Sequence, residues 1–168
     1  MTLAFTVVGV AKPKGSMKAF YRPGMKFPIV TDSNRSVKSW SQLVAEGASH
    51  ALQQVPMDQQ AHLFAGAVRL TLAFHLPRPK KYQRAGVNPA HLTKPDASKL
   101  VRAVEDALTQ VVYQDDAQVV ELVVAKRYAA MGAAPRVDVC VESTAGVQAL
   151  HVPPAPLPLF ANPERTDP

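Results

Sequence analysis

Apolar residues recur along this chain with two spacings, which predict four strands and two helices. Alternating or β-branched apolar residues predict strands at 2–11, 67–76, 118–128 and 136–143. A 3.6-residue spacing predicts one helix at 34–55 and a second one that begins after Asp96. The last two strands are expected to form a hairpin through the MGAAP turn. The pattern thus predicts one α/β (α+β) domain with a mixed or antiparallel sheet of about four strands.

The second helix is strongly two-sided. Its apolar residues share one face and are expected to be buried: Leu100, Val104, Ala107, Leu108 and Val111. Its polar residues share the opposite arc: Ser98, Lys99, Arg102 and Asp106. Pro95 prevents a helix from continuing upstream, and Asp96 is a good candidate for the residue that caps the helix.

Acidic residues stand at both ends of this segment, with Asp96 before the helix and Asp115 and Asp116 after it. A helix packed back on the strand that follows it is expected to bring these ends close together. Such an arrangement could hold a divalent cation between carboxylates. The alternative is structural, because Asp commonly caps helices and forms turns.

The charge of the chain indicates a polyanionic partner. The net charge is +6 and the isoelectric point is about 9.6. Residues 1–142 carry 18 basic and 11 acidic residues, a net charge of +7, because the tail contributes Arg165 against Glu164 and Asp167. DNA is the commonest such partner, and a merely solvated basic surface is the alternative.

Two basic segments are candidates for DNA contact. The first follows the first strand and interleaves Phe20, Tyr21 and Phe27 with Lys12, Lys14, Lys18, Arg22 and Lys26. The second is a proline-broken loop before Asp96 that surrounds Tyr82 with Arg78, Lys80, Lys81, Arg84 and Lys94. Cations would lie on phosphates and rings on exposed bases. The alternatives are a local core for the rings and a flexible surface insertion for the second loop.

The remaining features suggest an ordinary cytoplasmic protein. No signal peptide and no membrane-spanning apolar run is expected. Cys140 and Trp40 lie in apolar patterns and are expected in the core, with a subunit interface as the alternative for Trp40. Residues 1–143 are expected to form the domain, and the proline-rich residues 144–168 a disordered tail or a short partner-binding motif.

Two stretches, KPDASKLVRAVEDAL and VVYQDDAQVV, resemble the signature of the RusA-type Holliday-junction resolvases, and the opening FTVVGVAKPKGSMKAFYRPG resembles the beginning of that family. The resemblance covers most of residues 3–142. It implies a homodimeric endodeoxyribonuclease, found in phages and prophages, that cuts four-way DNA junctions in recombination and repair. It also implies Mg²⁺ as the cofactor, with Mn²⁺ as a substitute, and a two-fold arrangement that suits paired cuts.

The resemblance transfers to the site position by position. The first and third family carboxylates fall on Asp96 and Asp116, but the second falls on Ser98. The family's assisting lysine falls on Arg102, which keeps the charge but cannot donate a proton. Asp96, Asp116 and Arg102 are therefore the implied catalytic residues, and Lys99 is an added phosphate contact. The implied metal ligands are Asp96, Asp116, Asp115 and Ser98, with Asp106 as a further carboxylate that could compensate for the serine.

Three other functions fit parts of the sequence. A chain with Ser98 in place of an acid could bind DNA junctions without cutting them. A restriction-like nuclease of the PD…(D/E)xK type would use Pro95-Asp96, but no acidic residue downstream has a lysine two places after it in the right position. An adaptor that binds proteins through its proline-rich tail would lose its function when residues 145–168 are deleted.

Overall fold

The described residues form six strands and two α-helices. This computed structural model describes residues 1–15, 17–20, 24, 27, 29–32, 36–56, 64–83 and 89–144, with backbone alone in the strands at 17–20 and 29–32. The elements in chain order are β1 (Thr2–Val8), β2 (Met17–Phe20), β3 (Ile29–Asp32), α1 (Val37–Gln53), β4 (Val68–Leu76), α2 (Ala97–Leu108), β5 (Val119–Tyr128) and β6 (Arg136–Ser143). The four predicted strands and both predicted helices are confirmed, with ends that differ by a few residues.

The main sheet has four strands in the order β1-β6-β4-β5. Strand β6 pairs antiparallel with both β1 and β4, whereas β4 and β5 are parallel, so the sheet is mixed. The predicted hairpin between β5 and β6 is wrong, because β4 lies between them. Helix α2 crosses from β4 to the parallel β5, and this crossover leaves β5 at an edge of the sheet.

Both helices cover one face of the sheet. Alternate residues of β4 and β6 are buried there, and the apolar stripe of α2 packs over them, with Leu100, Val104 and Leu108 fully buried. Trp40 of α1 is buried as predicted, and α1 approaches β1 closely at Gly47. A Cβ at Gly47 would lie 3.1 Å from Val7 Cγ2. The core therefore lies between the helices and one side of the sheet.

The other face of the sheet is polar. Cys140 was predicted to lie in the core. It is instead half-buried on this polar face, opposite Thr71 and Ala4. The prediction was wrong about the face because alternation in β6 buries the valines on either side of Cys140 and turns the cysteine away from the helices.

The first basic segment contains a two-stranded ribbon, since β2 pairs antiparallel with β3. The side chain of Lys18 and the whole of Arg84 lie outside the described residues, as does the tail from residue 145. Within the part of the chain that is described, no helix is long and apolar enough to cross a membrane.

Candidate functional site

The start of α2 presents a carboxylate that the helix itself does not use. Asp96 is the N-cap residue and has the extended backbone geometry usual at that position, but its side chain makes no capping hydrogen bond. The carboxylate is exposed, and the Lys99 ammonium one helical turn later lies 3.9 Å from Asp96 Oδ2. A purely structural role for Asp96 is therefore not supported by its contacts.

Asp96 lines a basic groove. The groove has a volume of about 400 Å³ and is lined by Ala11, Lys12, Pro13, Lys94, Pro95, Asp96 and Lys99. The segment after β1 is held against α2 because the Lys14 amide donates to the Lys99 carbonyl over 2.9 Å. Three lysines from three parts of the chain thus surround one carboxylate. Such a groove suits a phosphate group, for which ammonium groups supply charge and hydrogen bonds.

Lys126 of β5 fixes the loop that leads to Asp96. Its ammonium donates to the carbonyls of Thr93 and Pro95, each over 2.9 Å. Just upstream, the ring of His91 is 8% exposed and packs on Tyr128, with 4.3 Å between the ring centroids. Burial lowers the pKa of His91, and the charge of Lys126 lowers it further. The loop is therefore tied to the carboxyl-terminal half of β5.

Asp115 and Asp116, the acidic pair after α2, differ in their contacts. Asp115 Oδ1 accepts from the Ala117 amide over 2.8 Å, and the Gln118 side chain accepts from the Asp115 amide over 3.1 Å, which completes a capping box. Gln118 also donates to the carbonyls of Phe64 and Gly66. Asp115 is thus occupied as a cap. The exposed carboxylate of Asp116 has no hydrogen-bond partner within the described residues.

Asp116 lies beside the last turns of α2. Burial raises the pKa of Glu105, and the charges of Asp116 and Asp106 raise it further. Burial and the charges of Glu105, Asp116 and Asp106 also raise the pKa of Tyr113, whose hydroxyl donates to the Glu105 carbonyl over 3.2 Å. The sequence analysis did not single out Glu105. In the sequence it is one more acidic residue of an amphipathic helix, and its neighbours in the chain do not indicate that Asp116 lies near it.

Asp96 and Asp116 of one chain lie at opposite ends of α2. The helix has 12 residues and so rises about 18 Å. Asp96 follows the loop held by Lys126, late in β5, whereas Asp116 precedes the first residue of β5. The expectation that packing brings the two acidic ends together is wrong. An antiparallel helix and strand joined by a short turn place the start of the helix beside the end of the strand.

One chain therefore does not fit a divalent metal ion held by Asp96 and Asp116 together. Carboxylates that share an ion each lie within about 2–2.6 Å of it, far less than the length of α2. Among the residues that are described, no group of three His, Cys, Asp or Glu side chains is placed to hold a metal. Ser98 is exposed on the first turn of α2, near the Asp96 end.

Some of the other predicted site residues make contacts within the protein, and the rest are exposed to solvent. Lys14 forms an ion pair with Asp106, the residue predicted as a compensating carboxylate. Arg78 donates to the carbonyls of Ala129 and Tyr82 and holds the second basic loop to the turn after β5. The remaining described candidates of the loops and helix are exposed: Lys80, Lys81, Lys94, Lys99 and Arg102. The Lys81 ammonium lies 4.7 Å from the centroid of the Tyr82 ring.

Comparison with known proteins identifies the family of the chain. The chain is similar to the uncharacterized protein YqaN of Bacillus subtilis (strain 168), with 29% identity over 149 residues, which cover 83% of this chain and 94% of YqaN. The family profile described as Endodeoxyribonuclease RusA matches residues 11–142, a range that includes the basic groove, α2, Asp96 and Asp116. The chain belongs to the RusA endodeoxyribonuclease family.

Proposed function

We propose that this protein is a divalent-metal-dependent endonuclease that resolves four-way DNA junctions in the cytoplasm, as a homodimer, during recombination and repair. One observation carries the proposal: Asp96, which matches the first family carboxylate, opens into a groove with Lys12, Lys94 and Lys99. Membership of the RusA family implies junction-resolving nuclease activity and a divalent metal. Mg²⁺ is the metal we propose, with Mn²⁺ as a substitute.

The groove supplies the contacts that a DNA backbone needs. Lys12, Lys94 and Lys99 neutralise the phosphodiester that lies beside Asp96, because each ammonium is a compact charge with three donors. Arg102 lies one turn after Ser98 on the exposed arc of α2 and extends the positive surface along the helix. Lys80 and Lys81 are exposed in the second basic loop and would contact a DNA arm. Lys14 and Arg78 support the proposal less, since both are engaged within the protein.

The separation of Asp96 from Asp116 supports a site shared between two copies. Within one chain about 18 Å of helix lies between them, yet both match family carboxylates and neither side chain makes a capping hydrogen bond. Two copies related by a two-fold axis that runs across α2 would bring Asp96 of one copy to the partner's Asp116, twice. A symmetric pair of sites suits the paired cuts that resolve a junction.

A second function is favoured by Ser98. The hydroxyl is neutral where the family has a carboxylate, and the two acids considered as replacements have other contacts, since Asp115 caps a turn and Asp106 pairs with Lys14. A site with one acid fewer repels DNA less and holds a divalent cation less tightly. The alternative is therefore a protein of the same fold that binds junctions but cuts them poorly.

The two functions differ in a cleavage assay. A labelled four-way junction is incubated with the protein, with and without Mg²⁺ or Mn²⁺, and compared with Asp96→Asn, Ser98→Asp and the control Glu46→Gln, which changes an exposed acid on α1. The nuclease makes symmetric metal-dependent nicks that Asp96→Asn abolishes and Glu46→Gln preserves. Binding without nicks, with cutting gained by Ser98→Asp, would favour the binder. Absence of both junction binding and cutting would contradict the proposal.

A further inference from the structure

Leu92 is a large apolar side chain that the fold leaves in solvent. It is 89% exposed, more than any other large apolar residue that the structure describes. The chain is fixed on both sides of it: the ring of His91 is buried and packs on Tyr128, and the Thr93 carbonyl accepts from the Lys126 ammonium over 2.9 Å. Single exposed apolar residues are ordinary, so exposure alone assigns no role. Leu92 differs in that a fixed loop holds it away from the core.

Leu92 lies beside the basic groove that contains Asp96. Lys94, two residues later, and Asp96, four residues later, both line that groove. A chain advances at most about 3.6 Å per residue, so the Cα atom of Leu92 lies within about 7 Å of that of Lys94 and about 14 Å of that of Asp96. At about 3.4 Å per base step, 14 Å corresponds to about four steps. A DNA strand with a phosphate at Asp96 therefore has bases at the level of Leu92 within about four steps.

The surroundings of Leu92 favour DNA over a protein surface. Lys94 is exposed, and Lys12 and Lys99 line the same groove, so the apolar side chain projects from a cationic surface. The core of a protein interface is depleted of charged residues, and of lysine in particular. DNA instead combines phosphates, which lysines bind, with apolar base faces that an aliphatic side chain contacts.

We propose that Leu92 inserts between base pairs at the branch point of the DNA, holds that step unstacked, and so fixes the distance from the branch point to the phosphate at Asp96. Insertion at the branch point rests on the proposed function, because it requires branched DNA in the groove. Leucine is one of the apolar residues that proteins insert between bases, and the unstacking costs free energy. Bases that are not held in a continuous duplex unstack more easily. Leu92 thus favours junctions over unbranched duplex and is a specificity-determining residue.

Fluorescence of 2-aminopurine tests the insertion directly, because this base analogue brightens when it loses its stacking neighbours. A four-way junction carries the analogue at each of the four pairs nearest the branch point in turn, and the proteins carry Asp116→Asn to prevent cutting. We expect binding to brighten the analogue at one or more of these positions. Leu92→Ala should lower the increase by at least half. Leu43→Ala is the matched control, since Leu43 is a 46% exposed leucine on α1, and it should leave the increase unchanged.

The ratio of junction affinity to duplex affinity gives a second measure. Truncation of a leucine side chain that DNA binding buries lowers affinity about tenfold. Leu92→Ala should therefore bind the junction about tenfold more weakly and an unbranched duplex with unchanged affinity. Leu92→Met keeps an apolar side chain of similar length and should restore most of the ratio, because methionine is also a residue that proteins insert between bases.

The contrary outcomes separate Leu92 from the proposed function. If the wild-type protein prefers junctions and Leu92→Ala has the same fluorescence increase and the same affinity ratio, the role of Leu92 is rejected and the proposed function stands. A wild-type protein with no preference for junctions over duplex would reject both. Light scattering identifies a protein occupant: loss of the oligomeric state in Leu92→Ala, with an unchanged fluorescence increase, would assign Leu92 to a protein interface and overturn the inference.

Discussion

Lys126→Met removes the ammonium that ties the loop before Asp96 to β5, and keeps an apolar stem of similar length. The lost contacts are two hydrogen bonds of 2.9 Å to the carbonyls of Thr93 and Pro95. A hydrogen bond that involves a charged group contributes about 1.5–3 kcal/mol. Thr93 is exposed and its carbonyl can bind water in the variant, so we expect a total loss of about 2–3 kcal/mol. For a domain of this size that lowers Tm by roughly 5–10 °C.

The assay combines thermal unfolding with amide hydrogen exchange. In Lys126→Met the amides of residues 92–94 and of Asp96 should exchange faster, and junction cleavage should fall more than junction binding, because Asp96 loses its fixed position while the groove lysines remain. Arg127→Met is the matched control, since Arg127 is the next residue and is exposed. Equal Tm and equal exchange in the two variants would refute the argument that Lys126 positions the start of α2.

Two further predictions concern the stability of the protein. Asp115→Ala should destabilise the protein by about 1 kcal/mol in urea unfolding, because it removes a capping carboxylate, whereas Asp116→Ala should leave stability unchanged; equal effects would contradict the division of roles. The pKa of His91 is lowered in the folded protein, so below its ordinary value of 6.5 the unfolded chain takes up a proton that the folded chain does not, and stability should fall as the pH falls from 7.5 to 5.5. His91→Phe should weaken this fall, and an identical pH dependence in the two proteins would exclude His91 as its source.

The four strands of the main sheet and both helices were predictable because each one carries a clear period. Alternation in β4 predicted that Val68, Leu70, Leu72 and Phe74 share the buried face, and the helical stripe from Leu100 to Leu108 predicted the buried face of α2. Such patterns report burial on one side of an element. They do not report which strands are neighbours, and for this reason the hairpin between β5 and β6 was predicted wrongly.

The site was predictable only in its chemistry. The exposed carboxylates of Asp96 and Asp116 were named from the sequence, but their separation depends on the direction in which α2 packs on β5. Asp115 could not be distinguished from Asp116 either, because the capping box depends on the contacts of Gln118 with Phe64 and Gly66, about 50 residues away in the chain. The role of Lys126 could not be predicted for the same reason, since the carbonyls that accept its hydrogen bonds are more than 30 residues away in the chain.

Mixing two inactive variants tests the central claim, that Asp96 of one copy acts with Asp116 of the other. Asp96→Asn and Asp116→Asn are purified separately and then together as differently tagged heterodimers, in a Ser98→Asp background if the wild-type protein does not cut. In the heterodimer, one of two shared sites keeps both aspartates, so single-strand nicking of a four-way junction should return although neither parent nicks. If the heterodimer is as inactive as the two variants, while the protein without these substitutions cuts, both aspartates must come from one chain.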